Sequence, residues 1–182
     1  MRLLGFHITF GTYGTRVHGD PRNTVDREHN QYGEPVIGYD EHRWEKEKGL
    51  LKYRPVEFNA PQMILVESLL PEICERGGWI YQMGAAGPDH VHVVLSSRED
   101  PKPIRKILKR WLTQALAAHF LGEPGCPQPG EPWFAECGSI RWIFEEDGEY
   151  FENAVDYVRR QRATERPQIV KIEDLGEVDL EL

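Results

Sequence analysis

The sequence lacks an excess of positive charge. Its 22 Lys and Arg face 30 Asp and Glu, a formal net charge of -8. That balance excludes indiscriminate binding to nucleic acid, which depends on cations neutralising phosphates. Cysteine is scarce too. Cys74, Cys126 and Cys137 are odd in number and show no C-x-x-C spacing, which excludes a disulfide framework and a thiolate zinc site and leaves small buried or incidental thiols. No apolar run approaches the roughly 20 residues that span a bilayer, and the N-terminus lacks the charged, apolar and small-residue layout of a signal peptide. A cytoplasmic protein with no membrane partner is expected. There is no internal repeat and no long low-complexity segment.

The 182 residues are 40% hydrophobic and 29% charged, which suits one soluble domain with a sizeable core. The charge is unevenly spread. Cations cluster over Lys102 to Arg110 and Arg159 to Arg166, and acids over Glu145 to Asp156 and in the C-terminal tail, so a local basic surface on an acidic body is available.

One stretch organises the rest: Gly87-Pro88-Asp89-His90-Val91-His92-Val93-Val94-Leu95. A Gly-Pro turn signal runs into β-branched residues, which reads as a loop entering a buried strand. Side chains alternate along a strand, so His90 and His92 share one face while Val91, Val93 and Leu95 pack on the other. Two imidazoles about 7 Å apart on a strand can close on one metal ion if a third ligand arrives from elsewhere.

Alternation in Gly5 to Gly11 predicts a first strand with Phe6, Ile8 and Phe10 inward and His7, Thr9 and Gly11 outward. Thr12 to Glu57 reads as a long irregular insertion with a helical turn around Asp40 to Lys48. A helix capped by Asn59 with Pro61 in its first turn should run to Gly77-Gly78. Strands follow at Trp79 to Met83 and His90 to Ser96, joined by a Gly84 to Pro88 turn. A long helix opens at Asp100-Pro101 and reaches about Phe120, with Ile104, Ile107, Leu108, Trp111, Leu112 and Leu116 inward. Gly122 to Pro132 is a loop, Ser139 to Phe144 a fourth strand, and Gly148 to about Arg162 a third helix bearing Ala154, Val155 and Val158. Ile169 to Ile172 suggests an edge strand. One domain over residues 1–166, with residues 12–57 inserted after the first strand, and an acidic tail over 167–182 are expected.

This order matches the split β-α-β-β-α-β of an α+β, ferredoxin-like sandwich with an antiparallel sheet, followed by an extra C-terminal helix. In that arrangement the first and third strands are central neighbours, and the His7 face lies beside the His90 and His92 face. On the last helix Tyr157 and Gln161 are four apart and project together. Gln161 then completes a His-His-Gln site with Tyr157 within reach. Imidazole and amide ligands with open positions suit Mg²⁺ or Mn²⁺ acting on a phosphate.

Pro-Asp-His-Val-His at 88–92 and Tyr157-Val158-Arg159-Arg160-Gln161 on a later helix resemble the motifs of single-tyrosine HUH transposases of insertion sequences. Phe6 to Phe10, Thr12 to Thr15 and Gly138 to Trp142 further resemble the branch that includes REP-associated tyrosine transposases. The likeness spans most of residues 5–162. It implies that His90, His92 and Gln161 bind the divalent ion and that Tyr157 is the nucleophile. In that chemistry the phenolate attacks single-stranded DNA beside a hairpin, leaving a 5′-phosphotyrosine and a free 3′-hydroxyl that can be rejoined. A phenol's pKa of about 10 makes the phenolate cost roughly 3 to 4 kcal/mol at neutral pH, and no side chain stands out as its base.

Other residues carry an ordinary reading beside a functional one. Lys102, Arg105 and Lys109 line either a phosphate-binding helix face or a solvated one. Arg16, with His18 and Arg22, is a candidate for DNA contact by resemblance and charge, and Arg159 lies beside the phenol. Trp133 and Trp142 either stack on bases or pack in the core. Tyr150, two turns before Tyr157, is a competing nucleophile without a ligand four residues later. His7 is a neighbour of the metal ligands or of DNA or simply packs, and Asp89 should point away from His90 and serve a turn or a hydrogen bond. Two alternatives are a domesticated, non-catalytic nucleic-acid-binding module and a metal hydrolase for a small substrate. A monomer is favoured over a homodimer, and a nucleoid-associated location follows from DNA as partner.

Overall fold

The computed structural model describes residues 2–22, 38–147 and 149–165. The proposed edge strand at 169–172, the acidic tail and residues 23–37 of the insertion lie outside the described residues. In chain order the elements are β1 (Leu3–Gly11), α1 (Glu41–Gly49), α2 (Ala60–Gly77), β2 (Ile80–Ala86), β3 (His90–Ser96), α3 (Pro101–Phe120), β4 (Ser139–Phe144), a 3-10 turn (Glu145–Asp147) and α4 (Tyr150–Glu165). The protein is α+β. Its four strands form one antiparallel sheet in the order β2-β3-β1-β4, so the first and third strands are central neighbours.

Alternation on the central strands sends their large apolar side chains to one face. Phe6, Ile8 and Phe10 of β1 and Val91, Val93 and Leu95 of β3 are buried there. The apolar stripes of α2 (Met63, Val66, Leu70, Ile73) and α3 (Ile104, Leu108, Leu112, Leu116) cover them. Each such side chain contributes about 1.5 to 3 kcal/mol on leaving water, enough to fix the strand register and, through it, the opposite face. Ile107 and Trp111 pack at the margin of this core. On the other face a smaller cluster joins Ala85, Val94 and Ile143 of the sheet to Ala154 and Val158 of α4. Helices therefore sit on both faces, and α4 shares the histidine side. Among the described residues no helix is long and apolar enough to cross a membrane.

Local signals set the helix ends. Asn59 and Gln62 form a reciprocal capping box at α2, and Gly78, at φ 72°, ends it in a left-handed conformation that glycine adopts without strain. Asp40 caps α1 and Asp100 caps α3. β2 departs from expectation. Gly84 to Ala86, read as a turn from their small side chains, continue the strand opposite Val93, His92 and Val91. The reason is packing: a Cβ on Gly84 would lie 2.4 Å from Leu70 Cδ1, so small residues let β2 close onto α2. Trp79, expected to begin that strand, is instead buried at the helix-strand junction.

One buried carboxylate ties α4 to the rest. Glu67 of α2 accepts from Ala86 N at 3.1 Å and from Arg162 Nε at 2.8 Å. The pair joins the helix on one face to the helix on the other around the outer strand β2. Glu67→Ala should lower unfolding free energy by about 2 to 3 kcal/mol, because it strands a buried N–H and a guanidinium. Urea denaturation reads this directly, and a midpoint indistinguishable from the parent's would refute the clamp.

Candidate active site

The site grows from the β1–β3 register. Thr9 lies opposite His92, Gly11 opposite His90 and His7 opposite Val94. That pairing sets His7, Thr9, His90 and His92 on the α4 face. The His92 Nδ1 atom lies 2.8 Å from the Thr9 hydroxyl and 3.1 Å from His7 Nε2. With its proton on Nδ1, donated to these neighbours, the His92 ring would present its lone pair at Nε2. The His90 and His92 rings stand nearly perpendicular, their centroids 4.7 Å apart.

Both inner imidazoles are neutral at neutral pH. Burial, joined by the charges of His90, His7 and Arg16, holds His92 down to about 3. Burial and the Arg141 guanidinium hold His7 down to about 4. A neutral ring is the form that can ligate a cation. Arg141 was not singled out in the sequence, although β4's alternation signals it: it pairs with His7 across the sheet and shares the face of Ile143.

Asp89 occupies the turn before β3 and is buried. Its Oδ1 accepts from His90 Nδ1 at 2.5 Å, and its Oδ2 accepts from Arg16 Nε at 2.9 Å and Arg22 Nη1 at 2.7 Å. Burial raises its pKa, but the His90 and Arg16 hydrogen bonds and nearby charges outweigh burial and keep the carboxyl ionised well below the usual range. An ionised Asp89 fixes the proton of His90 on Nδ1 and directs its ligating capacity to Nε2. Against the expectation that Asp89 points away from His90, its side chain turns back to that ring, where its hydrogen bond is made. The turn is also tied to the insertion, since Thr12 N donates to Asp89 O at 2.9 Å.

Tyr157 lies over this group. Its ring centroid is 5.7 Å from that of His92 and 6.2 Å from that of His7, and the residue is 43% exposed. Gln161 follows one turn later on α4 and is half-buried. Tyr150, the competing tyrosine, packs under the Arg141 guanidinium, 3.6 Å from its ring centre.

No protein-family model matches the chain. No curated protein matches it either. Among solved structures, the crystal structure of a "putative transposase" from Deinococcus radiodurans R1 is similar, at 15% identity and a TM-score of 0.43, covering 89% of this chain and 93% of that one.

The remaining candidates separate. Lys102, Arg105 and Lys109 stand on α3, on the sheet face away from the histidines. Two of them hold the loop before β4: Lys109 Nζ donates to Ala135 O at 2.8 Å and Glu136 O at 2.6 Å, and Arg105 donates to Gly138 O. Arg16, offered as a DNA contact, donates to Asp89, and Arg159 pairs with Asp156 on its own helix. Trp133 is core, whereas Trp142 is 45% exposed and stacks on Phe144 at the sheet edge. Among the described residues no three His, Cys, Asp or Glu side chains converge on a metal position.

Asp20 braces the Asp89 network from the insertion. It accepts from Arg22 Nη2 at 2.7 Å, and that hydrogen bond, against the opposing effect of burial, lowers its pKa. The folded state then binds fewer protons than the unfolded one, so the contribution is complete above the ordinary value of about 3.9 and fades as pH falls through the lower folded value. The stability gap between parent and Asp20→Asn, followed by thermal unfolding, should be constant from pH 7 to about 5 and shrink below about 4. A gap that widens in acid would contradict the sign.

Proposed function

We propose that this chain is a metal-dependent, single-tyrosine DNA endonuclease and strand transferase of the HUH transposase type, with the REP-associated branch as its nearest kin. The strand order is read as a ferredoxin-like split β-α-β-β-α-β sheet with α4 added. The observation that carries the proposal is the Tyr157 ring against His92 and His7 within one chain. The same proximity supports a tyrosine acting in cis and a monomer as the working unit.

The residues fit a hard divalent ion. His92 is a neutral ring anchored through Nδ1, and His90 is directed by an ionised carboxylate. His90, His92 and the Gln161 amide are the ligands to hold Mg²⁺ or Mn²⁺, which supplies charge neutralisation on the phosphate's non-bridging oxygens. Asp89 sets the tautomer of His90, and Thr9 and His7 orient the His92 ring. The exposure of Tyr157 leaves its phenol open to a strand laid along this face.

In the reaction the Tyr157 oxygen forms a bond to phosphorus while the bond from phosphorus to the 3′ oxygen breaks. One proton leaves the phenol and one reaches the 3′ oxygen, giving a 5′-phosphotyrosine and a 3′-hydroxyl. The reverse attack by a 3′-hydroxyl rejoins DNA without water. His7, held to about 4, is a poor proton acceptor at neutral pH. Arg141, which pairs with His7 across the sheet, places a cation on this face.

Labelled hairpin DNA with single-stranded flanks, incubated with Mg²⁺ or Mn²⁺, should give an adduct that survives denaturing electrophoresis. Tyr157→Phe should abolish it, and His92→Ala should lower it at least 100-fold, while Tyr150→Phe keeps it. An adduct undiminished in Tyr157→Phe would overturn the proposal.

A further inference from the structure

A second feature lies where β1 leaves the sheet. The segment after α1 and the loop after α3 form the two walls of a cleft of about 660 Å³. Its rim carries Lys52 and Arg54, beside Lys48 that pairs with Glu45 at 3.2 Å, against the carboxylate of Glu131, so a locally positive hollow stands on a chain of net charge -8. Tyr53 supplies a half-buried aromatic ring, with Lys52 Nζ 5.1 Å from its centre and Tyr13 packed edge-on at 6.0 Å, and Gln128 an exposed amide at the same opening. The volume falls within the range of about 300 to 1,000 Å³ common to small-ligand sites. Cations, one ring and one amide are the groups that hold a phosphate, a base face and a base edge.

Both walls are referenced to the histidine site through main-chain bonds. Val56 N donates to Tyr13 O at 2.8 Å on one wall, and Tyr13 N donates to Trp133 O at 3.0 Å beside the other. The Tyr13 hydroxyl accepts from Lys52 N at 3.1 Å, which fixes the cationic turn itself. One residue back, Thr12 N donates to Asp89 O, the residue that holds His90. The cleft is thus set in register with the end of the sheet where His90 begins β3. No residue of the proposed chemistry lies in it.

We infer that this cleft binds one unpaired nucleotide of the DNA strand that reaches Tyr157, with its phosphate on Lys52 and Arg54 and its base on Tyr53. The inference rests on the single-stranded DNA reading given above. It gives the insertion a role in holding the strand outside the reacting phosphate.

The test measures anisotropy of fluorescein-labelled, randomised single-stranded DNA with the full chain across a salt series, alongside the covalent adduct assay. The Lys52→Ala/Arg54→Ala variant should weaken binding and reduce the slope of log affinity against log salt by about 0.7, the share of one neutralised phosphate. Tyr53→Ala should weaken binding about fivefold or more, and Tyr53→Phe should restore it, as stacking requires. All three sites lie at the rim, and unchanged thermal unfolding confirms that the variants fold. Binding with unchanged affinity and slope in these variants, while the adduct still forms, overturns the cleft and leaves the tyrosine chemistry standing. Binding lost in them without any adduct from the parent supports the cleft and sinks the tyrosine chemistry. Parent protein that binds no single-stranded DNA overturns both.

Discussion

The antiparallel pairing of β1 with β3, Thr9 against His92, is the constraint on which the site depends. A shift of one residue would turn every side chain of a strand to the opposite face, burying imidazoles in the α2–α3 core and exposing Phe6, Ile8 and Phe10. The cost of that slip is several large apolar side chains returned to water. Hydrophobic packing on one face thereby holds the register of polar groups on the other. The imidazole cluster is stabilised from behind, by residues that never touch it.

Two additions to the sheet complete the surroundings of that cluster. The first is α4, whose Ala154 and Val158 seat on Ala85, Val94 and Ile143 and bring Tyr157 over the rings. Its small apolar contact is reinforced by Arg162 reaching Glu67. The second is the start of the insertion, which folds back so that Arg16 and Arg22 grip Asp89. A carboxylate buried with two guanidiniums and one imidazole is costly to leave half-paired, so the network holds the turn before β3 in one arrangement.

Much of this was legible in the sequence because it rests on short-range pattern. Period-2 alternation gave β1, β3 and β4, and caps at Asn59 and Asp100 gave α2 and α3. The placement of His7 beside His92 followed from strand order alone. What could not be read depended on long-range packing. Gly84 to Ala86 look like a turn until Leu70 is found against Gly84. Lys109 and Arg105 look like a solvated cationic stripe until the carbonyls of residues 135–138 are found beneath them. Arg16 has the same appearance until Asp89 is found 73 residues away. Thr9 and Arg141 were within reach, since each shares a face with a residue already singled out, but neither stands out by type.

The central claim is that one face of the sheet gathers a divalent ion and the tyrosine of the same chain. Titration of Mn²⁺ into isotope-labelled protein, followed by paramagnetic broadening of backbone and ring resonances, tests it without requiring turnover. The account expects His90, His92, Gln161 and Tyr157 to broaden first and together, and His92→Ala to abolish the effect. Broadening centred on the acidic Glu145 to Asp147 turn, with the histidine rings and Tyr157 unaffected, would contradict it.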